Sequence, residues 1–329
     1  MAGATVSIIV PTCNAGVMLQ ECLNALQGDI DCEIVVVDNG SVDGSTGCVC
    51  DYPQVTLVRC ETNLGFAMAC NLGATHSAGE YLLFLNDDVK VNTDTVSGLS
   101  RHLDQHPGVA AVQPTLIEGP AGSVFSYGSV MTRTGFLHHL SSKDLQAFGQ
   151  TRFALKGACF MIRRSVFDSL NGFDDEFFAY FEESDLCWRA LLRGWDLEHI
   201  GSIQADHVGG ATTRRLFTSE YIDFLSFRNR VVANVSNWGA FTLLYVLPLH
   251  YLVCFGIAVM LLLTGRARNS WAIARAMLYP VWHCRQVWQR RRRVQRSRCV
   301  SDDVLLRRLG TQMQWQTAIA SIRGYVVRW

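Results

Sequence analysis

Glu80-Tyr-Leu-Leu-Phe-Leu-Asn-Asp-Asp-Val-Lys90 decides how the rest of the chain is read. Residues 81–85 are an apolar run of strand length, the pattern of a buried strand in a parallel sheet. The run stops abruptly at Asn86, Asp87 and Asp88. In open α/β sheets, ligands sit just beyond the carboxyl ends of the strands. Paired carboxylates there repel one another and are costly to desolvate unless a cation shares them. Oxygen ligands of this kind suit Mg2+ or Mn2+, held partly by substrate phosphates. Taken alone, the triplet also reads as a polar turn capping the next helix.

The stretches on either side repeat the pattern. Residues 6–10 are a short β-branched run stopped by Pro11, and Pro11-Thr12-Cys13-Asn14 forms the turn at its end. Met18, Leu19, Cys22, Leu23 and Leu26 follow at helical spacing. Residues 33–37 and 55–58 read as further strands, the first running into a turn-rich segment that begins at Asp38. Asn63-Leu64-Gly65-Phe66 then opens a helix of small residues through Asn71 and Gly73. Strands alternating with helices at this pitch imply right-handed βαβ units and a doubly wound sheet with ligands along one edge. The turn after the first strand lacks the G-x-G-x-x-G of a dinucleotide site, and no P-loop is present. Asp38 has the right place to accept from a base N–H or a ribose hydroxyl, and is equally an ordinary turn former.

Beyond Asp88, residues 93–106 read as a helix and 108–113 as a strand. Residues 118–150 read as a loop region over the site, with His138 and His139 as a solvated pair. Residues 156–162 are β-prone. A helix opens at Glu182-Glu183-Ser-Asp185, where the macrodipole favours anions, and Asp185 and Arg189 are spaced for an i,i+4 pair. Residues 195–200 form another strand, followed by a Gly-flanked loop that carries His207.

The chain has 329 residues, enough for one large or two ordinary domains. Lys+Arg and Asp+Glu balance at 29 each, so no global charge points to nucleic acid. The 12 cysteines follow neither a disulfide framework nor a zinc spacing. With no secretory leader pattern at the start, they are expected to be reduced thiols in a cytosolic compartment.

Together, Asp38-Asn-Gly-Ser, Leu85-Asn-Asp-Asp-Val and Gly172-Phe-Asp…Glu182-Glu-x-Asp-Leu-Cys-x-Arg resemble glycosyltransferase family 2, the inverting GT-A enzymes. The similar stretches cover residues 5–230 in the family's order, and the rhamnosyltransferase-like branch is the nearest in look. The resemblance implies an α/β GT-A fold, a Rossmann-like doubly wound and mostly parallel sheet. It implies nucleotide-sugar contacts at Pro11, Thr12, Asn14 and Asp38, and again at Asn63, Gly65, Phe66 and Asn71. Asn86, Asp87 and Asp88 stand where the family has D-x-D, with Asn86 and Asp87 toward the donor and Asp88 as the ligand to Mn2+ or Mg2+. His207, in a His-x-Gly-Gly stretch, matches a position that completes the metal shell. Glu183 matches the catalytic base, although the family usually has Glu-Asp at that pair. Glu182 is the alternative base. The implied donor is dTDP-rhamnose, with UDP-hexoses next, and the implied acceptor is a glycan or lipid-linked glycan. A nucleotidyltransferase is disfavoured because the first turn has no Gly-rich basic loop. A catalytically inactive nucleotide-sugar-binding subunit of a glycan-assembly complex is the alternative that the Asn86 and Glu183 departures leave open. An oligomer is compatible with either reading.

Residues 231–265 contain no Asp, Glu, Lys or Arg, and residues 241–264 are long and apolar enough to cross a ~30 Å hydrocarbon core. Residues 1–230 are therefore expected to form the catalytic domain and 231–329 a helical membrane-associating region. Arginines flank the apolar run on both sides, Pro248 and His250 interrupt it, and a stripe including Trp271, Ile273, Met277 and Trp282 suits an interface. These features favour a monotopic or re-entrant anchor at the cytoplasmic face over a single span. In this reading the arginines of residues 290–293 lie on anionic lipid. Packing of these helices on the catalytic domain or on another subunit is the remaining reading.

Overall fold

A computed structural model describes residues 5–27, 32–119, 123–208 and 216–309. The first half alternates as expected: β1 (Val6–Thr12), α1 (Val17–Ala25), β2 (Cys32–Asp38), β3 (Val55–Arg59), α2 (Phe66–Thr75) and β4 (Tyr81–Leu85). A two-residue strand β5 (Val89–Lys90), α3 (Thr93–Gln105) and β6 (Val109–Glu118) follow. The segment read as a loop region carries three short strands, β7 (Ser123–Ser126), β8 (Ser129–Met131) and β9 (Leu137–His139), and a one-turn helix α4 (Leu145–Phe148). Next come β10 (Cys159–Arg163), α5 (Arg164–Ser169), α6 (Glu182–Leu192) and β11 (Asp196–His207).

The main sheet runs β3-β2-β1-β4-β10-β6-β11-β5, with β7 beside β6. It is parallel from β3 to β4, as expected for a doubly wound sheet. Beyond β4 it becomes mixed, because β10 is antiparallel to both β4 and β6. That reversal has a use. Cys159 pairs with Leu85, so residues 156–158, which precede β10, lie at the carboxyl end of β4, and Asn86 N–H donates to the Ala158 carbonyl at 2.9 Å.

β4 alternates between two cores, as a strand buried on both faces must. Leu82 and Phe84 pack with α2, α5 and α6; Tyr81, Leu83 and Leu85 pack with α1 and α3. Phe84 is the hub of an aromatic cluster, with ring centroids 5.3 Å from Phe160, 5.2 Å from Phe167 and 5.0 Å from Phe173.

The C-terminal helices are α7 (Ser219–Asn237), α8 (Ala240–Leu263), α9 (Ala267–Trp282), α10 (Cys284–Arg296) and α11 (Asp302–Arg308). α7 runs without a break across residues 230 and 231, where the sequence suggested a boundary. Three expectations for this region need correction. Pro248 and His250 do not interrupt α8, which is one continuous helix. His250 is instead on the face buried against the protein, with Thr242, Val246, Cys254 and Leu261 at helical spacing, and its Nδ1–H donates to the Thr134 carbonyl at 2.8 Å. Burial pulls its pKa down to about 3, so the ring is neutral. The stripe on α9 is divided between two faces: Ile273 is buried in the helix cluster, whereas Trp271 and Trp282 are exposed. The arginine run is divided as well. Arg290 is buried and Arg291 donates to the Val235 and Trp238 carbonyls at 2.6 and 2.7 Å, leaving Arg292 and Arg293 on the outside. In each case one face of the helix is claimed by protein and the other is left exposed.

Phe84→Ala leaves a cavity among three rings. It is expected to lower unfolding stability by about 3–5 kcal/mol, measured by chemical denaturation, with the exposed Val42→Ala unchanged as control.

Candidate active site

The carboxyl ends of β1, β2 and β4 meet at one edge of the sheet. Thr12 is in register with Asp38, and its hydroxyl donates to Asp87 Oδ2 at 2.8 Å. The Asp38 carboxylate is buried and accepts from Ser41 N–H and the Thr46 hydroxyl, both at 2.8 Å. Asn14 adopts a left-handed φ of 52° and ties the first turn to the second, accepting from Val42 N–H at 2.9 Å. Asn39, which sequence reasoning passed over, organises the neighbouring turn. Its amide donates to Asn63 Oδ1 at 3.1 Å and to the Gly65 carbonyl at 3.2 Å, and it accepts from Leu64 N–H at 2.8 Å. Gly65 needs its φ of 83°, and a Cβ there would sit 2.3 Å from the Phe178 carbonyl oxygen.

These turns enclose a cleft of about 680 Å³, lined by Pro11, Thr12, Asn63, Gly65, Phe66 and Asn86–Asp88, with Asn39, Phe178 and Phe217 as further walls. Asn71 is not brought to it. Its amide donates to the Phe173 carbonyl at 2.9 Å and to Asp175 Oδ1 at 2.7 Å, so it pins the loop before α6 instead. Nothing in a single sequence separates an Asn that meets ligand from one that meets backbone.

Asp88, which lines the cleft, comes together with His207. β5 follows Asp88 directly and pairs antiparallel with the end of β11, and Val208 N–H donates to the Asp88 carbonyl at 2.8 Å. His207 is thus the last residue of a strand, not a loop residue as expected; Gly209 and Gly210 of its motif lie outside the described residues. His207 Nε2 stands 3.5 Å from Asp88 Oδ2, both side chains being 3% exposed. Asp88 Oδ1 and His207 Nδ1 have no hydrogen-bond partner among the described residues. Burial lowers the His207 pKa against the opposing pull of Asp88, which favours the neutral, metal-ligating ring. The Phe125 ring stacks on it at 4.3 Å. Asp87 has a different environment: burial pushes its pKa up to about 7, and Thr12 already occupies one oxygen.

A buried carboxylate and a buried imidazole with open valences could together hold a divalent cation. Among the described residues no third His, Cys, Asp or Glu completes the set. The remaining ligands of Mg2+ or Mn2+ would be water and diphosphate oxygens, as such ions commonly have.

A second lobe of about 1340 Å³ shares Phe66, Asn86 and Ala179 with the first. Glu182, Glu183, Lys156, His207 and Arg230 line it. The two glutamates open α6, and the turn before them is strained. Tyr180 and Phe181 are consecutive non-glycine residues with φ of 69° and 73°. Asn229 of α7, another residue unmarked in the sequence, holds that turn by donating to the Ala179 and Tyr180 carbonyls at 2.9 and 2.6 Å. The glutamates are not equivalent. Glu182 is buried, and burial together with the Glu183 charge holds its pKa well above the usual carboxylate range. Glu183 is half-buried and packs over Gly157.

The model of the family described as Glycosyl transferase family 2 matches residues 7–170. The N-acetylglucosaminyl-diphospho-decaprenol L-rhamnosyltransferase of Mycobacterium tuberculosis is 30% identical over 210 residues, 55% of this chain and 68% of that protein. The low-salt glycan biosynthesis hexosyltransferase Agl10 of Haloferax volcanii is 28% identical over 219 residues, 62% of this chain and 67% of that protein. Among solved structures, Staphylococcus aureus TarS 1-349 with UDP-GlcNAc superposes with a TM-score of 0.58 at 18% identity, covering 89% of this chain and 91% of that one. The Pyrobaculum calidifontis mannosyltransferase PcManGT, with GDP-Man and Mn2+, gives 0.54 at 17% identity, covering 90% and 86%. The fold is therefore GT-A, and the chain belongs to glycosyltransferase family 2, enzymes that draw their sugar from a nucleotide donor.

Proposed function

We propose that this chain is a metal-dependent inverting glycosyltransferase that moves rhamnose from dTDP-rhamnose to a hydroxyl of a lipid-linked glycan. The observation that carries the reading is the shared cleft: Asp88 lines one lobe, Glu183 and His207 line the other, Asp88 and His207 meet where the lobes join, and Phe66, Asn86 and Ala179 are common to both. The M. tuberculosis relative, an N-acetylglucosaminyl-diphospho-decaprenol L-rhamnosyltransferase, supports this acceptor class and favours rhamnose over a hexose.

In this reading the nucleotide lies over the turns after β1 and β2, and the diphosphate reaches toward Asp88 and His207. A bound Mn2+ or Mg2+ would offset the negative charge that develops on the leaving diphosphate. Glu183 removes the proton from the acceptor hydroxyl, whose oxygen attacks the anomeric carbon opposite the diphosphate. The bond from that carbon to the phosphate oxygen breaks, its electron pair leaves with the nucleotide, and configuration inverts. Glu182, whose carboxyl burial and the Glu183 charge push well above the usual carboxylate range, is the less suited of the two to act as the base. It is suited to donating a hydrogen bond in the same lobe.

The outer face of α8 and α9 supports a membrane location. Phe241 is 88% exposed, Leu263 81% and Trp271 63%, while the opposite face of α8 is packed on the protein. A helix docked along its length in this way lies in an interface rather than spanning one. We place it at the cytoplasmic face, where sugar nucleotides are available.

Three outcomes are expected. Asp88→Ala abolishes transfer, His207→Ala reduces it less because phosphate and water ligands remain, and EDTA stops the wild type; full turnover by the purified enzyme in EDTA would remove the metal from the account. Glu183→Gln keeps donor binding but lowers kcat by about 10²–10⁴-fold, whereas Glu182→Gln, an isostere of the protonated acid, stays near wild type. The reverse ranking would exchange their roles, and a retained anomeric configuration by NMR would defeat inversion. Wild type co-sediments with vesicles containing anionic lipid, and Phe255→Glu with Trp271→Glu weakens that binding by at least about tenfold; recovery of the wild type in the soluble fraction without detergent would contradict the membrane reading.

A further inference from the structure

The segment that carries the two glutamates is held at both ends by one side chain from the C-terminal helices. Arg290 of α10 is 1% exposed. Its Nε lies 2.7 Å from Asp174 Oδ2, before the strained turn, and its Nη2 lies 2.6 Å from Asp185 Oδ1, one turn into α6. Between these contacts its guanidinium sits 5.0 Å from the centroid of the Phe177 ring. Asp185 is fully buried and is completed by Arg189 Nε and Asn237 Nδ2, each at 2.8 Å. Burial alone would raise the Asp185 pKa; Arg290 first and Arg189 next outweigh it, and the carboxyl is held at about 2.

We propose that Arg290 is a positioning residue for catalysis: by bridging Asp174 and Asp185 it keeps residues 174–185 wound so that Glu183 faces the acceptor lobe. The proposal rests on the reading of Glu183 as the base. Two successive left-handed residues are strained and persist only where their surroundings over-determine them. Asn229 holds the turn by its carbonyls; Arg290 holds the chain on either side of it. A lysine has one point charge and no planar fork, so it serves one carboxylate well and two poorly. The C-terminal helices are in this account part of the catalytic unit, since a residue more than a hundred positions downstream sets the geometry of the base.

The test uses the full-length protein with Arg290→Gln, Arg290→Lys and Asp174→Asn. The readouts are dTDP affinity in Mn2+, transfer from dTDP-rhamnose to N-acetylglucosaminyl-diphospho-decaprenol, and hydrogen exchange by peptide. Arg290→Gln is expected to lose about 10²-fold in kcat with the donor KM within about twofold, the signature of a misplaced group rather than a lost ligand. Exchange should rise over residues 174–185 and stay unchanged in β1–β4, and Arg290→Lys should recover part of both effects. If Arg290→Gln does not fold, Asp174→Asn, which releases one limb only, should give the same pattern in smaller measure. Turnover and exchange in Arg290→Gln matching wild type would overturn the proposal. So would a parallel loss of donor affinity and of protection throughout the sheet, in both the Gln and Asn variants. The exchange measurement needs no substrate, so wild-type inactivity toward this donor and acceptor would count against the proposed substrates and leave the clamp separately tested.

Discussion

A carboxylate buried at the end of a strand has to be compensated, and Asp88 is 4% exposed with one oxygen lacking any hydrogen-bond partner among the described residues. Much of the architecture serves that requirement. β5 is a two-residue strand directly after Asp88 that pairs with the end of β11 and so brings His207 to Asp88. The reversal of β10 brings residues 156–158 to the same edge, where Ala158 accepts from Asn86. A purely parallel sheet would leave Asp88 facing the next βα loop, with no antiparallel strand to carry a second ligand or the wall of the acceptor lobe.

The same low-dielectric edge divides labour among its acids. Asp88, Asp87, Glu182 and Glu183 all lie along one cleft, and a common protonation state for all of them would be electrostatically untenable. The structure separates them by burial and partners. Burial pushes the Asp87 carboxyl up to about 7 against the hydrogen bond from Thr12, and burial with the Glu183 charge pushes Glu182 well above the usual carboxylate range; in the proposed reading this leaves Asp88 for a cation and Glu183 for a proton. Arg189 and Arg290 are engaged by Asp185, whereas Lys156 and Arg230 line the second lobe with the glutamates.

What was legible in the sequence followed from short-range periodicity. The apolar runs of β1, β2 and β4 and the polar residues that end them identify the sheet edge, because a strand buried on both faces leaves no ambiguity about where it stops. Asp88 and the acids that open α6 could be found in this way. Residues whose role depends on long-range pairing could not. His207 reads as a loop residue because its strand partner, Val89, is more than a hundred positions away. Asn71 and Asn39 have the same side chain, yet one meets the Phe173 loop and the other lines the cleft. Arg290 sits in a run of four arginines that looks uniformly cationic, and only helix phase decides that it turns inward. The apolar run at residues 241–264 hid its docked face for a related reason: a helix half-packed on protein and half-exposed has the same composition as one surrounded by lipid.

The central claim is that a donor diphosphate and a divalent cation meet between Asp88 and His207. Crystals grown with dTDP and Mn2+ and measured at the manganese edge test it directly. The account predicts one anomalous peak in contact with Asp88 Oδ1 or Oδ2, a His207 ring nitrogen and the dTDP diphosphate. A nucleotide bound in the cleft with the manganese absent, or with the peak at any other residues, would contradict it.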